Sequence, residues 1–600
     1  MQVISGLESL SAFRIKNDGR RILSLLAEGK GRLKIDWAVG VGKSSNIDQV
    51  IEESVNSGQY DLVIALFPTR QIINERSLVA NPKDTIKVVN LKPRPKIQCG
   101  GDINCLWELF EKRNLGMLGR KKLCGHCPEK TNCSWTKQFG KALRGVQVII
   151  GTQAHLERSP YFLGQLVQWT ESRKPLVILD EANFIMKPFQ RTILRKDLII
   201  FLDIIKKVSV KNSYEFNPFW VYLCELLINA ETTDLRSPDW KMPVFSQKWA
   251  LEVQSLGYNT YGNDFHFLSF DLSAFGFSPI ESREKAQNGD IKFAAVPDIS
   301  MDFIVYSGTA HHEFSRYRLG NDFASPFENF SFIHPETTWF NIASRLGAKR
   351  YFIKNSSQIF DFFARLIARR LQEGKKPLLI AKKCFLLLCA RELEVMLREL
   401  GVETRIICNE LPSDTSENVY HIPLINYGMI GTNLFQEFEC AYCLTGYYVP
   451  EEAVNSILQD LLGSDMNIPL HITIQDRPCR RTAGALHKAD QVYDIHHLAQ
   501  HALNHLEMDT VLQAVGRVRP YTKPREVITF QCAQHPKLEY TKEFNNISEA
   551  RDYFYIPDRR SANKFKRHAQ IKKAKAEGKT QSQAASFLGV SLRTIKRYWN

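Results

Sequence analysis

The stretch 37-WAVGVGKSS-45 follows a short apolar run and precedes 46-NIDQVIEESV-55, whose pattern predicts a helix. A glycine-bearing turn between a strand and a helix start can cradle phosphate. Gly40 and Gly42 let the backbone come close, and the free N–H groups of the helix start face the anion. In that arrangement Lys43 reaches the β- and γ-oxygens of a nucleotide and Ser44 holds Mg2+. Trp37 stands where the full G-x-x-x-x-G-K-S/T pattern has its first glycine. A short G-x-G-K-S also describes a surface turn, so the rest of the chain has to decide.

Short apolar runs bounded by turn or polar residues recur: 61-DLVIALFPT-69, 146-VQVIIGT-152, 176-LVILDEA-182, 302-DFIVYSGT-309, 377-PLLIAKK-383, 440-CAYCLTGYY-448 and 526-EVITFQC-532. They read as strands buried on both faces, which is how parallel strands look in sequence. Helical stretches such as 358-QIFDFFARLIARRLQEG-374 and 386-LLLCARELEVMLRELG-401 lie between them. Such alternation predicts an α/β fold with parallel sheets, in two blocks at residues 1–335 and 340–545. Residues 187–300 are rich in Phe, Trp and Leu without strand rhythm and are expected to form a mainly helical insertion.

Two further stretches support the phosphate reading. In 176-LVILDEAN-183 a buried strand ends in two acids: Asp180 would bind Mg2+, and Glu181 would orient and deprotonate the attacking water. In 513-QAVGRVRP-520, Arg517 is a candidate arginine finger offered to the γ-phosphate, and Gln513 could contact nucleotide or position water. Arg519 reads as a surface charge.

Six hundred residues exceed one core, so three or four domains are expected. With 44% hydrophobic and 24% charged residues the composition is that of a globular chain. No apolar run approaches the ~18 residues of a membrane helix, and the first residues lack a signal pattern. An intracellular, cytoplasmic protein is expected, in which 13 cysteines argue for metal or core thiols rather than disulfides.

The cysteines cluster at residues 99–140 with the spacing Cys105-x18-Cys124-x2-Cys127-x5-Cys133, and Cys99 is a spare. Gly, Pro, Lys and Asn surround them, so this is a loop rather than a strand. Four thiolates suit tetrahedral zinc or a 4Fe–4S cluster equally on spacing alone. His126 lies inside the close pair and is expected to point outward. Cys440 and Cys443, in an apolar strand, read as core thiols, and His497, His501 and His505 as one polar helix face.

The net charge is +15, and the segment from Arg559 to Asn600, with 12 Lys/Arg against the single acid Glu577, carries +11 of it. That balance favours a polyanion such as nucleic acid. Residues 580-TQSQAASFLGVSLRTIKRYWN-600 predict two short helices. Thr580 and Ser591 would cap them and Gly589 would allow the turn. Ala584, Ala585, Leu588, Val590 and Ile595 would face inward, and Arg593, Thr594, Lys596 and Arg597 outward toward groove and phosphates. This basic stretch, 559–600, resembles the helix-turn-helix of resolvases.

Taken in order, the motifs resemble those of superfamily 2 helicases, with two RecA-like motor domains. The loop at 37–45 is similar to motif I, 66-LFPTRQIINE-75 to motif Ia, and 149-IIGTQAHL-156 to the DNA-contacting motif that follows. The DEAH box is resembled by 180-DEAN-183, with Asn183 in place of His. The later motifs III, V and VI are resembled by 307-SGTA-310, 428-GMIGTNLFQEFE-439 and 513-QAVGRVR-519. The resemblance implies ATP and Mg2+ between the two domains, with Thr69, Arg70 and Thr152 on single-stranded DNA.

Cysteines between motifs I and II, a large insertion before motif III, and the S-G-T and Q-A-x-G-R forms are most similar to the XPD/DinG group of iron–sulfur DNA helicases. That likeness implies a 4Fe–4S cluster on Cys105, Cys124, Cys127 and Cys133, with zinc as the alternative, and 5′-to-3′ movement. It departs from the group where Arg519 follows Arg517 by two positions and Pro520 takes the usual second arginine's place. The expectation is an ATP-dependent DNA helicase or translocase that serves replication or maintenance of a plasmid, phage or other mobile element. A DNA-dependent ATPase that does not unwind, or a DNA-binding regulator with a degenerate motor, is the alternative.

Overall fold

A computed structural model describes residues 2–599 apart from residue 75 and residues 77–85, 159–161, 182–188, 214, 232–234, 236–241, 244, 279, 281–282, 296–299, 308–322, 412–418, 430–433, 463–469, 477, 486–491 and 533–537. Two parallel sheets organise it. The first comprises β2 (Arg32–Ile35), β3 (Leu62–Phe67), β4 (Val88–Asn90), β5 (Val148–Thr152), β6 (Pro175–Asp180) and β10 (Asp302–Tyr306), in the order β2-β10-β6-β3-β5-β4. Its ladders are all parallel.

The second sheet comprises β12 (Thr338–Ile342), β13 (Pro377–Ala381), β14 (Thr404–Cys408), β15 (Tyr420–Asn426), β16 (Cys440–Cys443), β19 (Glu526–Thr529) and β20 (Lys542–Phe544), in the order β14-β15-β13-β16-β19-β12-β20. It too is parallel throughout. Among the described residues three small sheets accompany them: β1 (Gln2–Ser5) beside β11 (Phe330–Ile333), the ribbon β7 (Phe189–Ile193), β9 (Ile291–Ala295) and β8 (Glu284–Lys285), and the hairpin β17 (Leu470–Asp476) with β18 (Cys479–Ala485).

The apolar runs form parallel strands because each feeds two cores. In β3, Val63, Ala65 and Phe67 join the cluster on one face, while Leu62, Ile64 and Leu66 join the other. In β13 the same alternation sends Leu379 and Ala381 one way and Leu378 and Ile380 the other. Burial of each such side chain contributes roughly 1.5–3 kcal/mol, and only helices on both faces can supply it. The α/β architecture with two parallel sheets follows. Cys440 and Cys443 are fully buried in β16, and burial pushes their thiols up to about 11 and about 12.

Four helices, Arg195–Lys211, Phe219–Asn229, Gln247–Tyr261 and Ser269–Phe277, fill the segment expected to be helical. Its strands β7, β8 and β9 went unpredicted; β7 and β9 pair antiparallel near its two ends and close it. Its core also takes Phe110, Leu115 and Leu118 from the cysteine-bearing segment. Gln254 accepts the Leu118 N–H at 2.9 Å, so the two insertions share one interior. No helix among the described residues is long and apolar enough to cross a membrane.

Candidate nucleotide and nucleic-acid sites

The glycine turn sits between β2 and α3 (Lys43–Asn56). Gly40 and Gly42 hold left-handed φ values of 89° and 115°, which a side chain would strain. A Cβ on Gly40 would also lie 2.8 Å from Arg519 Cδ. Trp37 does not crowd the turn. It is 1% exposed and held edge-on by Phe13 and Phe327, at ring centroids of 5.2 and 5.7 Å. The loop is thus anchored on an aromatic core where the full motif has a glycine.

Gly40, Gly42, Lys43, Ser44, Asp180, Glu181, Gln513 and Arg517 all line one cavity of about 440 Å³. Lys43 Nζ pairs with Glu181 Oε1, and Gln513 Nε2 donates to Glu181 Oε2 at 3.5 Å. Glu181 has a φ of 49°, unusual for a non-glycine residue, and its N–H donates to Tyr306 O at 2.7 Å. Asp180, at the tip of β6, is pushed up to about 6 by burial first and the Glu181 charge second, against Lys43 and Arg76. Asp180 and Glu181 put two acids together in a cavity whose lining otherwise carries lysine and arginine, an arrangement that suits a polyphosphate with a divalent cation at the acids. Ser44 and Asp180 supply oxygen donors of the kind Mg2+ takes.

The opposite wall comes from the second sheet. Gln513 lies on the helix Thr510–Val515, and Arg517 on the turn Gly516–Val518 after it. Gly516 lies against the loop: a Cβ there would be 2.8 Å from Val39 Cγ1. Arg519, read in the sequence as a surface charge, lines the cavity in a left-handed conformation with φ 62°. The shortened spacing therefore still delivers a second arginine. Arg14 was missed altogether. It lies on α1 (Gly6–Lys16), and its Nε donates to Val41 O at 2.6 Å and its Nη2 to Gly40 O at 3.2 Å, clasping the loop. A lone arginine on a helix of mixed face carries no sequence signal.

Thr69 and Thr152 lie at the C-terminal ends of neighbouring strands, where Phe67 pairs with Thr152. Thr69 Oγ1 accepts the Ile72 N–H at 3.4 Å, and Arg70 Nη1 donates to Asn90 at 2.9 Å, on α4 (Arg70–Asn74). Asn183, residues 308–310 of the S-G-T-A stretch, and residues 430–433 lie outside the described residues.

The cysteine segment differs from expectation. Burial first, and then the neighbouring Cys133, Cys99 and Cys127 thiols, hold the Cys124 thiol above its ordinary range. Cys105, expected as a ligand, is exposed on the helix Gly101–Lys112, whereas Cys99 is partly buried on the short helix before it. Among the described residues no group of three or more His, Cys, Asp or Glu side chains could hold a metal ion. The segment offers thiol donors of the kind zinc or iron takes, not drawn together as a ligand set among the described residues.

The histidine row also breaks. His497 and His501 meet at 2.9 Å, but His505 is buried against Asp509 because the helix passes into a π turn at His505–Asp509.

At the C-terminus three helices, Arg559–Ala576, Gln581–Leu588 and Leu592–Tyr598, enclose Ile571, Ala574, Ala584 and Ile595. Thr580 and Gln583 make a capping box, Gly589 takes a φ of 62°, and Ser591 accepts the Thr594 N–H at 3.3 Å. Arg593, Lys596 and Arg597 are exposed, while the Thr594 hydroxyl turns to Ser591 at 2.9 Å.

No protein-family model and no curated protein matches the chain. Among solved structures it is similar to S. cerevisiae Dbp5 bound to RNA and ADP BeF3, at 11% identity and a TM-score of 0.34, over 90% of this chain and 88% of that one. It is similar to the DUF1998 helicase MrfA bound to DNA and AMPPNP, at 10% identity and a TM-score of 0.35, over 90% and 50%. A third is the ATP-dependent type ISP restriction-modification enzyme LlaBIII bound to DNA, at 8% and 0.31, over 93% and 34%.

Proposed function

We propose that the chain is an ATP-dependent helicase or translocase of superfamily 2 type, working on DNA. The observation that carries this reading is the single cavity in which Lys43, Ser44, Asp180 and Glu181 from the first sheet meet Gln513 and Arg517 from the second. A site built from two walls is one whose closure can be tied to movement. The regulator with a degenerate motor is disfavoured because every group that the chemistry needs lines that cavity.

The ion pair between Lys43 and Glu181 suggests how the base is held in check. An arriving γ-phosphate takes Lys43, which releases Glu181 to accept a proton from the attacking water. Gln513, already within reach of Glu181, orients that carboxylate or the water. Arg517 offsets the charge that spreads over the transferring phosphoryl group. Ser44 and Asp180 would hold Mg2+, whose chemistry there would be to offset part of the phosphate charge.

Thr69, Arg70 and Thr152 form the single-strand contact in this reading. The three terminal helices offer Arg593, Lys596 and Arg597 to duplex phosphates and bases, with Thr594 at the helix start. A role in maintaining a plasmid, phage or other mobile element rests on that combination of motor and DNA-binding module. A zinc ion or 4Fe–4S cluster at the cysteines belongs to the XPD/DinG likeness alone. If one is bound on Cys105, Cys124, Cys127 and Cys133, Cys124→Ser removes it from anaerobically purified protein, and an unchanged metal content in that variant rules the set out.

ATP hydrolysis measured with and without single-stranded DNA is the deciding experiment. Stimulation by DNA that Lys43→Ala abolishes is expected. No stimulation, together with unchanged activity in Lys43→Ala, removes the motor reading. Truncation at about residue 558 should spare hydrolysis and weaken duplex binding; equal duplex binding refutes the tail's role.

A further inference from the structure

Arg76 lines the nucleotide cavity, and no step above uses it. It is 3% exposed. Its Nη2 donates to Ser44 O at 2.9 Å and to Asp48 Oδ1 at 2.7 Å. Its guanidinium carbon stands 4.5 Å from the ring centroid of Phe67, the last residue of β3. Ser44 and Asp48 are one turn apart on α3, so the arginine grips the first turn of that helix from the side. Its Nη1 is buried and has no partner among the described residues.

A guanidinium is a rigid fork of N–H donors that is always charged. One prong is used twice on the chain, and the other is buried and unused, on a residue that lines the cavity. Buried donors are almost always satisfied, so an unmade one beside a ligand cavity points to an acceptor that the ligand brings. Asp180 and Ser44, the proposed Mg2+ donors, line the same cavity.

We propose that Arg76 is a positioning residue for the Mg2+ side of the nucleotide site. Its Nη2 fixes the Ser44 turn through Ser44 O and Asp48, and its spare Nη1–H is met by an oxygen acceptor that arrives with Mg2+ and nucleotide. This rests on the reading of the cavity as an ATP site. Lysine is a poor substitute, because an ammonium lacks the planar fork that reaches both acceptors while stacking on Phe67.

The test is titration of the full chain with a fluorescent ADP analogue, once with Mg2+ and once with EDTA. The readout is the ratio of the two affinities. Arg76→Ala should lower that ratio at least tenfold, and Arg76→Lys should fall between it and wild type. Asp48→Asn, which weakens one of the two acceptors, should lower the ratio less, and it carries the test with Arg76→Lys if Arg76→Ala does not fold. A purely structural role would weaken both affinities in proportion and leave the ratio unchanged, which overturns the proposal. Wild-type protein that binds the analogue in neither condition removes the nucleotide reading and this inference together; normal wild-type binding with an unchanged variant ratio removes this inference alone.

Discussion

The two walls of the cavity are built in opposite ways. On the first, Lys43 and Ser44 follow a strand and a tight turn without interruption, and Asp180 and Glu181 end a strand of the same sheet. On the second, Gln513 and Arg517 follow a helix that is broken by a π turn at His505–Asp509, and the chain leaves through the left-handed Arg519. The first wall is two short stretches, each local in its chemistry, brought together by one sheet. The second is correct only if the whole second sheet holds its helix against the loop, as the approach of Gly516 to Val39 shows.

The sharpest way to break that contrast is to remove the group that only the far wall supplies. Arg517→Ala should lower DNA-stimulated ATP hydrolysis by about 10³-fold or more while nucleotide binding persists. Loss of binding with the rate would move Arg517 from charge stabilisation to structure. On the near wall, Glu181→Gln should cost about 10²- to 10³-fold in rate. It should also free Lys43 from its ion pair, so that nucleotide binds at least as tightly as to wild type. Weaker binding would contradict the held-base arrangement.

The grouping of the near wall was legible because its two pieces, a strand–turn–helix passage at Lys43 and Ser44 and an acid pair ending a strand at Asp180 and Glu181, each leave a local pattern. The seven apolar runs became strands of the two parallel sheets for a similar reason, since burial on both faces leaves a pattern that does not depend on distant partners. Legibility failed where position depends on tertiary packing. Arg14, Arg76 and Arg519 reach the cavity from three separate elements, and nothing in their local pattern distinguishes them from surface charges. His505 left its expected face because one π turn shifts the helical register.

The contact between the walls can be tested without touching a charged group. Gly516→Ala places a methyl where Val39 already stands, so closure should be impaired and hydrolysis should fall by about tenfold, equivalent to about 1.4 kcal/mol. Val39→Ala in the same chain should restore most of it. Because the two residues belong to different sheets, recovery in the double variant reports their direct approach. Equal losses in the single and double variants would mean that the glycine serves only the local turn.

A smaller effect reports how the far wall is supported. Glu507 lies in the π turn that leads into the helix of Gln513 and is 0% exposed. Its Oε1 takes the Arg481 Nη1–H at 2.8 Å and the Val449 N–H at 2.9 Å, while Oε2 is buried without a partner among the described residues. Burial outweighs the opposing Arg481 charge and pushes the carboxyl from 4.5 up to about 7. The proton is therefore held more tightly in the folded chain than in the unfolded one. The stability this confers is complete below about 4.5, declines as pH rises, and is lost as pH passes through about 7. A displacement from 4.5 to about 7 corresponds to at most about 3 to 4 kcal/mol, and less once relaxation of the pocket is allowed. Glu507→Gln keeps the shape and removes the titration. Its thermal midpoint should fall less than that of wild type as pH is raised from about 5 to about 9, with a difference of a few degrees. If the two proteins lose stability in parallel over that range, Glu507 is ionised throughout, and the far wall rests on its pairing with Arg481 rather than on a buried proton.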